Sequence, residues 1–143
     1  MRTILLSLVL AVSLAAANKP VHKKVVQPKD FPTGRPFSPG ILAGGTLYIA
    51  GQTGTDLKTG KVPDQFEDEV KQALEHVGAV LKEAGMGFEN AISVQVYLTD
   101  MDMFQRMNAV YTTYFKEPRP ARTTVGVARL GGGAHIEITV TAR

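Results

Sequence analysis

The sequence predicts an α+β fold: one mixed sheet carrying two helices on a single face, in the order strand, strand, helix, strand, helix, strand, strand (ββαβαββ). Three observations carry this reading. Phe66, Val70, Ala73, Leu74, Val77, Val80, Leu81 and Ala84 recur at helical spacing. Residues 91–98 alternate apolar and polar, as a strand with one face on a core does. From Pro120 to Arg143 the chain reads as two further short strands joined by glycines. Two amphipathic helices can cover one face of about five strands, which gives a two-layer sandwich.

The chain has 143 residues, the size of one domain. Its 44% hydrophobic and 20% charged content supports a core without metal or disulfide staples. With no cysteine there is no disulfide framework, thiol nucleophile or thiolate metal site.

Met1 and Arg2, an apolar run from Ile4 to Ala17 and the closing Ala15-Ala16-Ala17 have the layout of a secretory signal peptide over residues 1–17. An uncleaved anchor or a buried helix is the alternative, but the run falls short of the ~20 apolar residues a bilayer span needs. Cleavage after Ala17 leaves 143 − 17 = 126 residues and takes the net charge from +3 to +2 by removing Arg2. The mature protein would then be periplasmic or secreted, without a stable membrane anchor. So small a surplus predicts no nucleic-acid footprint. Residues 18–32 are basic and proline-punctuated, and read as a flexible tail, solvated or tethering a polyanion. The domain proper is expected over residues 33–143.

Ile41-Leu42-Ala43 and Thr46–Ala50 read as strands joined by the hairpin signal Gly44-Gly45, with Leu47 and Ile49 on one face. Gly51 to Gly54 reads as a turn or loop. Asp64 and Glu67 have capping-box spacing for the first helix, and Gly85 fits its C-terminal cap. His76 lies off the apolar stripe, as an exposed residue. On the next strand Ile92, Val94, Val96 and Leu98 take the core face and Ser93, Gln95 and Tyr97 the other. Asp100 or Asp102 can cap the second helix, whose stripe is Phe104, Met107, Val110, Tyr111, Tyr114 and Phe115; Pro118 ends it. Val125 and Val127 alternate with Thr124 and Gly126. After the turn at Gly131-Gly132-Gly133, Ile136, Ile138 and Val140 alternate with Glu137, Thr139 and Thr141. The open sheet face therefore carries Gln95, Tyr97, Glu137 and Thr139, facing either solvent or other copies of the chain.

Arg122, entering a strand after Pro120-Ala121, and Glu137, inside an apolar strand, are the charges in unexpected places. They read either as ordinary exposed charges or as a small anion site. The histidines His22, His76 and His135 lack zinc spacing, and no HExxH, GxSxG or Walker pattern occurs.

Four segments together resemble the RidA (YjgF) family of enamine/imine deaminases: PARTTVGVARL followed by IEI, MNAVYTTYF, YIAGQTG and, more loosely, RPFSPGI against a GPYSQAI-like pattern. The resemblance spans about Phe31 to Arg143. It implies a Bacillus chorismate-mutase-like fold and a homotrimer with three sites at the subunit interfaces. It also implies hydrolysis of small 2-imino or enamine acids to 2-keto acids and ammonia, with no cofactor and no metal. By the same resemblance Arg122 binds the substrate carboxylate and Glu137 stands near the hydrolytic water. Asn108 and the Gly51 backbone add polar contacts. Thr124 stands where many members have Cys, and Phe37 where many have Tyr, which bears on substrate orientation. A non-catalytic trimer that binds carboxylates or acts as a holdase is the alternative. Ribonuclease activity finds little support, since no catalytic His pair or dense basic–aromatic surface is evident.

Overall fold

The computed structural model describes residues 20–143, so the leader read in residues 1–17 lies outside the described residues. The chain forms β1 (Lys23–Val26), β2 (Gly40–Ala43), β3 (Thr46–Thr53), α1 (Phe66–Glu83), β4 (Ala91–Leu98), α2 (Phe104–Tyr114), β5 (Ala121–Gly126) and β6 (Ile136–Ala142). These make one six-stranded sheet ordered β1-β2-β3-β6-β4-β5. All neighbours are antiparallel except β4 and β5, which run parallel across the α2 crossover. The α+β sandwich with both helices on one face is as the sequence predicts.

Both helices cover that face. Leu47, Val70, Leu74, Val77, Val80, Leu81, Val94, Val96, Leu98, Met107, Ile136 and Ile138 are all fully buried between the layers. Gly44 and Gly45 both take positive φ (58° and 79°), the geometry of a tight two-residue hairpin turn. After Ala84, Gly85 is left-handed (φ 74°), Gly85 N–H donates to Lys82 O and Met86 N–H to Leu81 O. This is the Schellman closure expected of that glycine.

Several expectations are corrected. Residues 18–32 are not wholly a flexible tail: Lys23–Val26 pairs antiparallel with β2 and buries Val26, while Phe31 packs into the core. The apolar pair Val25-Val26 following two lysines is the signal, and the surrounding prolines obscure it. Asp64 does not cap α1; the N-cap is Gln65, without a side-chain bond, and Glu67, Asp68 and Glu69 in the first turn face the positive helix end instead. Asp100 does accept from Asp102 N–H, at 2.9 Å, opening the turn before α2. Ile92 is 52% exposed rather than in the core, because a bulge between Ala91 and Ser93 makes it the extra residue and turns Ala91 inward. Val125 is also exposed; the parallel register sets Val96 beside Thr124 and Tyr97 beside Val125, so Arg122 and Thr124 take the helix side.

The two helices are joined on their outer surface by a bidentate pair, Arg106 Nε and Nη2 donating to Glu67 at 2.7 Å each. The guanidinium holds the Glu67 carboxyl down at about 2. That depressed value stabilises the fold above the ordinary carboxyl range, and the contribution disappears as pH falls through about 2. In Arg106→Ala the Glu67 carboxyl is expected to titrate closer to its usual range, the backbone hydrogen bond at Glu67 still holding it somewhat low, as carboxyl-carbon NMR would show.

Candidate functional site

Glu137 projects from β6 on the open face, paired with Tyr97 of β4 and Thr53 of β3. Its placement depends on β3. The strand does not end at Ala50 but runs on to Thr53 through a bulge between Ile49 and Gln52. Gly51 to Thr53 are thus strand rather than loop. The bulge shifts the alternation, so Gln52 is buried beside Ile138 while Thr53 shares a face with Glu137. A Cβ at Gly51 would overlap a Glu137 carboxylate oxygen. The missing side chain at Gly51 is therefore the space that the carboxylate occupies.

A cavity of about 440 Å³ opens here, lined by Glu137, Gly51, Phe37, Arg35, Thr53, Asp56 and His76. Phe37 is half exposed, with the Arg35 guanidinium 5.7 Å from its ring centre. His76 is not simply exposed. It is partly buried, its Nδ1 lies 2.9 Å from Thr53 O, and its ring meets Phe31 edge-on. Burial lowers its pKa, against the opposing pull of the Thr53 carbonyl and of Glu75 and Asp56.

Arg122 belongs to a different cleft, of about 390 Å³, lined with Asn108, Tyr111, Arg119 and Pro120. The Arg122 guanidinium lies 4.4 Å from the Tyr111 ring centre and 5.6 Å from that of Phe104. Stacking of this kind is worth ~0.5–2 kcal/mol and fixes the plane of the fork. Among the described residues no carboxylate pairs with it within 4.0 Å. The Tyr111 hydroxyl and Thr124 Oγ1 are enclosed nearby without a hydrogen-bond partner. Burial raises the Tyr111 pKa, partly offset by the Arg122 charge.

The six residues singled out in the sequence thus divide. Phe37, Gly51 and Glu137 line one cleft; Asn108 and Arg122 line the other, with Thr124 beside Arg122 on the same side of β5. Arg122 pairs with core-facing Val94, whereas Glu137 pairs with Tyr97 on the open face, and β4 lies between their strands. Within one chain the two charges do not meet.

One residue that the sequence reading missed holds this arrangement in place. Glu69 of α1 is fully buried. Its Oε1 accepts from the backbone N–H of His135 at 2.6 Å and of Ile136 at 3.2 Å, and its Oε2 is 2.9 Å from His135 Nδ1. Gly54 makes room, because a Cβ there would overlap the Glu69 backbone. The carboxylate thereby pins the start of β6 immediately before Glu137. The signal was present: Glu69 lies three residues after Phe66 and four before Ala73, on the buried stripe.

The endoribonuclease L-PSP family model matches residues 28–143. A RutC family protein of Pyrococcus horikoshii is 45% identical over 108 residues, covering 75% of this chain and 86% of that protein. The human 2-iminobutanoate/2-iminopropanoate deaminase is 41% identical over 108 residues, 75% of this chain and 79% of its own length. Among solved structures, Escherichia coli TdcF with bound serine superposes with a TM-score of 0.77 at 30% identity, over 83% of this chain and 97% of that one. The fold and these likenesses define a Rid-type α+β protein. The chain belongs to the endoribonuclease L-PSP family, also known as the RidA/YjgF family.

Two consequences can be measured. Gly51→Ala is expected to cost up to about 1 kcal/mol, because the flexible Glu137 side chain can swing aside, and less in a Glu137→Ala background. A denaturant double-mutant cycle reads that coupling. Glu69→Ala leaves the buried Ile136 N–H and the partly buried His135 N–H unpaired and should destabilise by about 3 kcal/mol in the same assay.

Proposed function

We propose that the protein hydrolyses small 2-imino and enamine acids to 2-keto acids and ammonia, in sites shared between chains of a homotrimer. The observation that carries this reading is the division of the site: a carboxylate cleft with Glu137 and Gly51, and a guanidinium cleft with Arg122 and Asn108, on opposite sides of one sheet. Two copies can bring complementary clefts together where one copy cannot. The exposed Val25, Tyr48 and Val125 share the open sheet face, and they supply apolar surface for packing between copies. The deaminase name of the 41%-identical human relative agrees with this chemistry.

In this mechanism the Arg122 fork takes the substrate carboxylate through two parallel N–H···O bonds, an arrangement that Lys cannot reproduce. Glu137, on the neighbouring chain, orients a water toward the imine carbon and accepts its proton. The C–O bond forms as the C=N π bond moves to nitrogen, which takes up a proton. Collapse of the carbinolamine restores C=O and expels ammonia, so one water is consumed per imine. Asn108 and the backbone at Gly51 hold polar atoms of the substrate. Thr124 contributes packing beside Arg122. Proton relay by Glu137 is worth typically ~10²–10⁴-fold, and an imine already electrophilic leaves much of the remainder to positioning. No metal or cofactor enters this scheme. Residues 1–17 are read as an export signal, which places the mature trimer in the periplasm or outside the cell.

Phe37 favours a second reading, a trimer that binds small carboxylates without turnover, because it lacks the hydroxyl that many family members carry there. Imines generated in situ by an amino-acid oxidase, with semicarbazide trapping whatever is unreacted, decide between them. Wild type should accelerate keto-acid and ammonia release. Arg122→Ala should lose about 100-fold in kcat/KM, with the trimer intact by light scattering, and Glu137→Gln should fall chiefly in kcat. Folded trimer without acceleration on any small imino acid would establish the binding protein instead.

A further inference from the structure

The cavity at Glu137 extends beyond the strand residues Glu137 and Gly51. At about 440 Å³ it runs past Glu137 and Gly51 to a wall formed by His76, Asp56 and Thr53, with Gly131 and Gly132 bounding it without side chains. His76 stands where its stripe position would not place a functional group, yet the fold fixes its ring. A carbonyl oxygen only accepts, so the 2.9 Å contact to Thr53 O requires a proton on Nδ1. Thr53 in turn pairs directly across from Glu137. In the neutral ring, Nε2 is then a lone pair and the only polar ring atom left uncommitted.

Its surroundings favour that neutral form. Burial outweighs the other influences on the ring. The charged groups around it are Glu75 on its own helix, Asp56 on the loop after β3 and Arg35 on the segment before β2. Asp56 Oδ1 is occupied by the Lys58 and Thr59 backbone N–H groups and by the Thr59 hydroxyl, and these donors hold its carboxyl below the usual range. The far wall of the cavity is therefore rich in acceptors, with an ionised Asp56 and a neutral imidazole, and Arg35 is its one cation among the residues that line it.

We infer that His76 is a specificity-determining residue: its Nε2 accepts a hydrogen bond from a donor at the distal end of the ligand side chain, so the pocket selects 2-imino acids whose side chain carries a terminal hydroxyl, amide or ammonium group. This inference rests on the deaminase reading for its kinetic test but not for its binding test.

The kinetic test compares the imines of homoserine and norvaline, which have equal length and differ as hydroxyl against methyl. Wild type should favour the homoserine imine about tenfold in kcat/KM. The preference should fade at acidic pH, below the ordinary imidazole range, where His76 protonates, because the cation has two N–H groups and no acceptor. His76→Asn keeps an N–H for Thr53 O but removes Nε2, its one remaining acceptor Oδ1 being set back on a shorter side chain, and should abolish most of the preference. The binding test follows the His76 ring nitrogens of wild type by NMR. 4-Hydroxy-2-oxobutanoate should shift Nε2, and 2-oxopentanoate should not. Turnover with no homoserine preference and no selective shift overturns the inference and leaves the deaminase standing. A selective shift without turnover of any imine upholds the inference and overturns the deaminase. If His76→Asn fails to fold, the wild-type pH dependence and the NMR shift decide the question alone.

Discussion

β6 lies in the middle of the sheet, hydrogen-bonded on both sides, and its side chains must alternate between two very different surroundings. Ile136, Ile138 and Val140 fill the space beneath the helices, so Glu137 has no choice but the open face. A slip of one residue would place a carboxylate among aliphatic side chains and an isoleucine in the cleft, and the cost of burying that unpaired charge prevents it. The Glu69 carboxylate fixes the register from the other layer by accepting from the backbone N–H groups of His135, just before the strand, and Ile136, its first residue. Buried charge, in this protein, is spent on setting where a strand begins.

The same alternation governs the partner strand. Because β3 carries a bulge before Gln52, the half of the strand below the bulge serves the core with Leu47 and Ile49, and the half above it serves the cleft with Gly51 and Thr53. An unbroken strand would have offered a side chain at the wrong height or on the wrong face. The bulge is thus the device by which one strand belongs to both the core and the site.

Much of this was legible in the sequence. Periodicity located both helices and the alternating strands, Gly44-Gly45 and Gly85 announced their turns, and the parity of β6 alone placed Glu137 opposite the core. What escaped depends on pairing between distant segments. The bulges at Ile92 and at Ala50-Gly51 exist only relative to the partners in β6, so local alternation assigned Ile92 to the core and cut β3 short. β1 is too short to show a period and gains its identity by pairing with β2. Alternation alone left the face of Val125 open, and the parallel register with β4 decides it. Arg122, Asn108 and Glu137 were recognised by likeness to a family. Nothing in the linear pattern showed that they would fall on opposite sides of the sheet.

The sheet's first strand closes one flank of the layer with a row of backbone groups that have no neighbour among the described residues. Such a row invites uncontrolled addition of further strands from other molecules. Here it is only four residues long, and the two exposed lysines Lys23 and Lys24 occupy half of it. A second molecule approaching in the same register would bring like charges together over a very short contact. Lys23 and Lys24, within the edge strand itself, therefore disfavour edge-to-edge addition of further strands at β1.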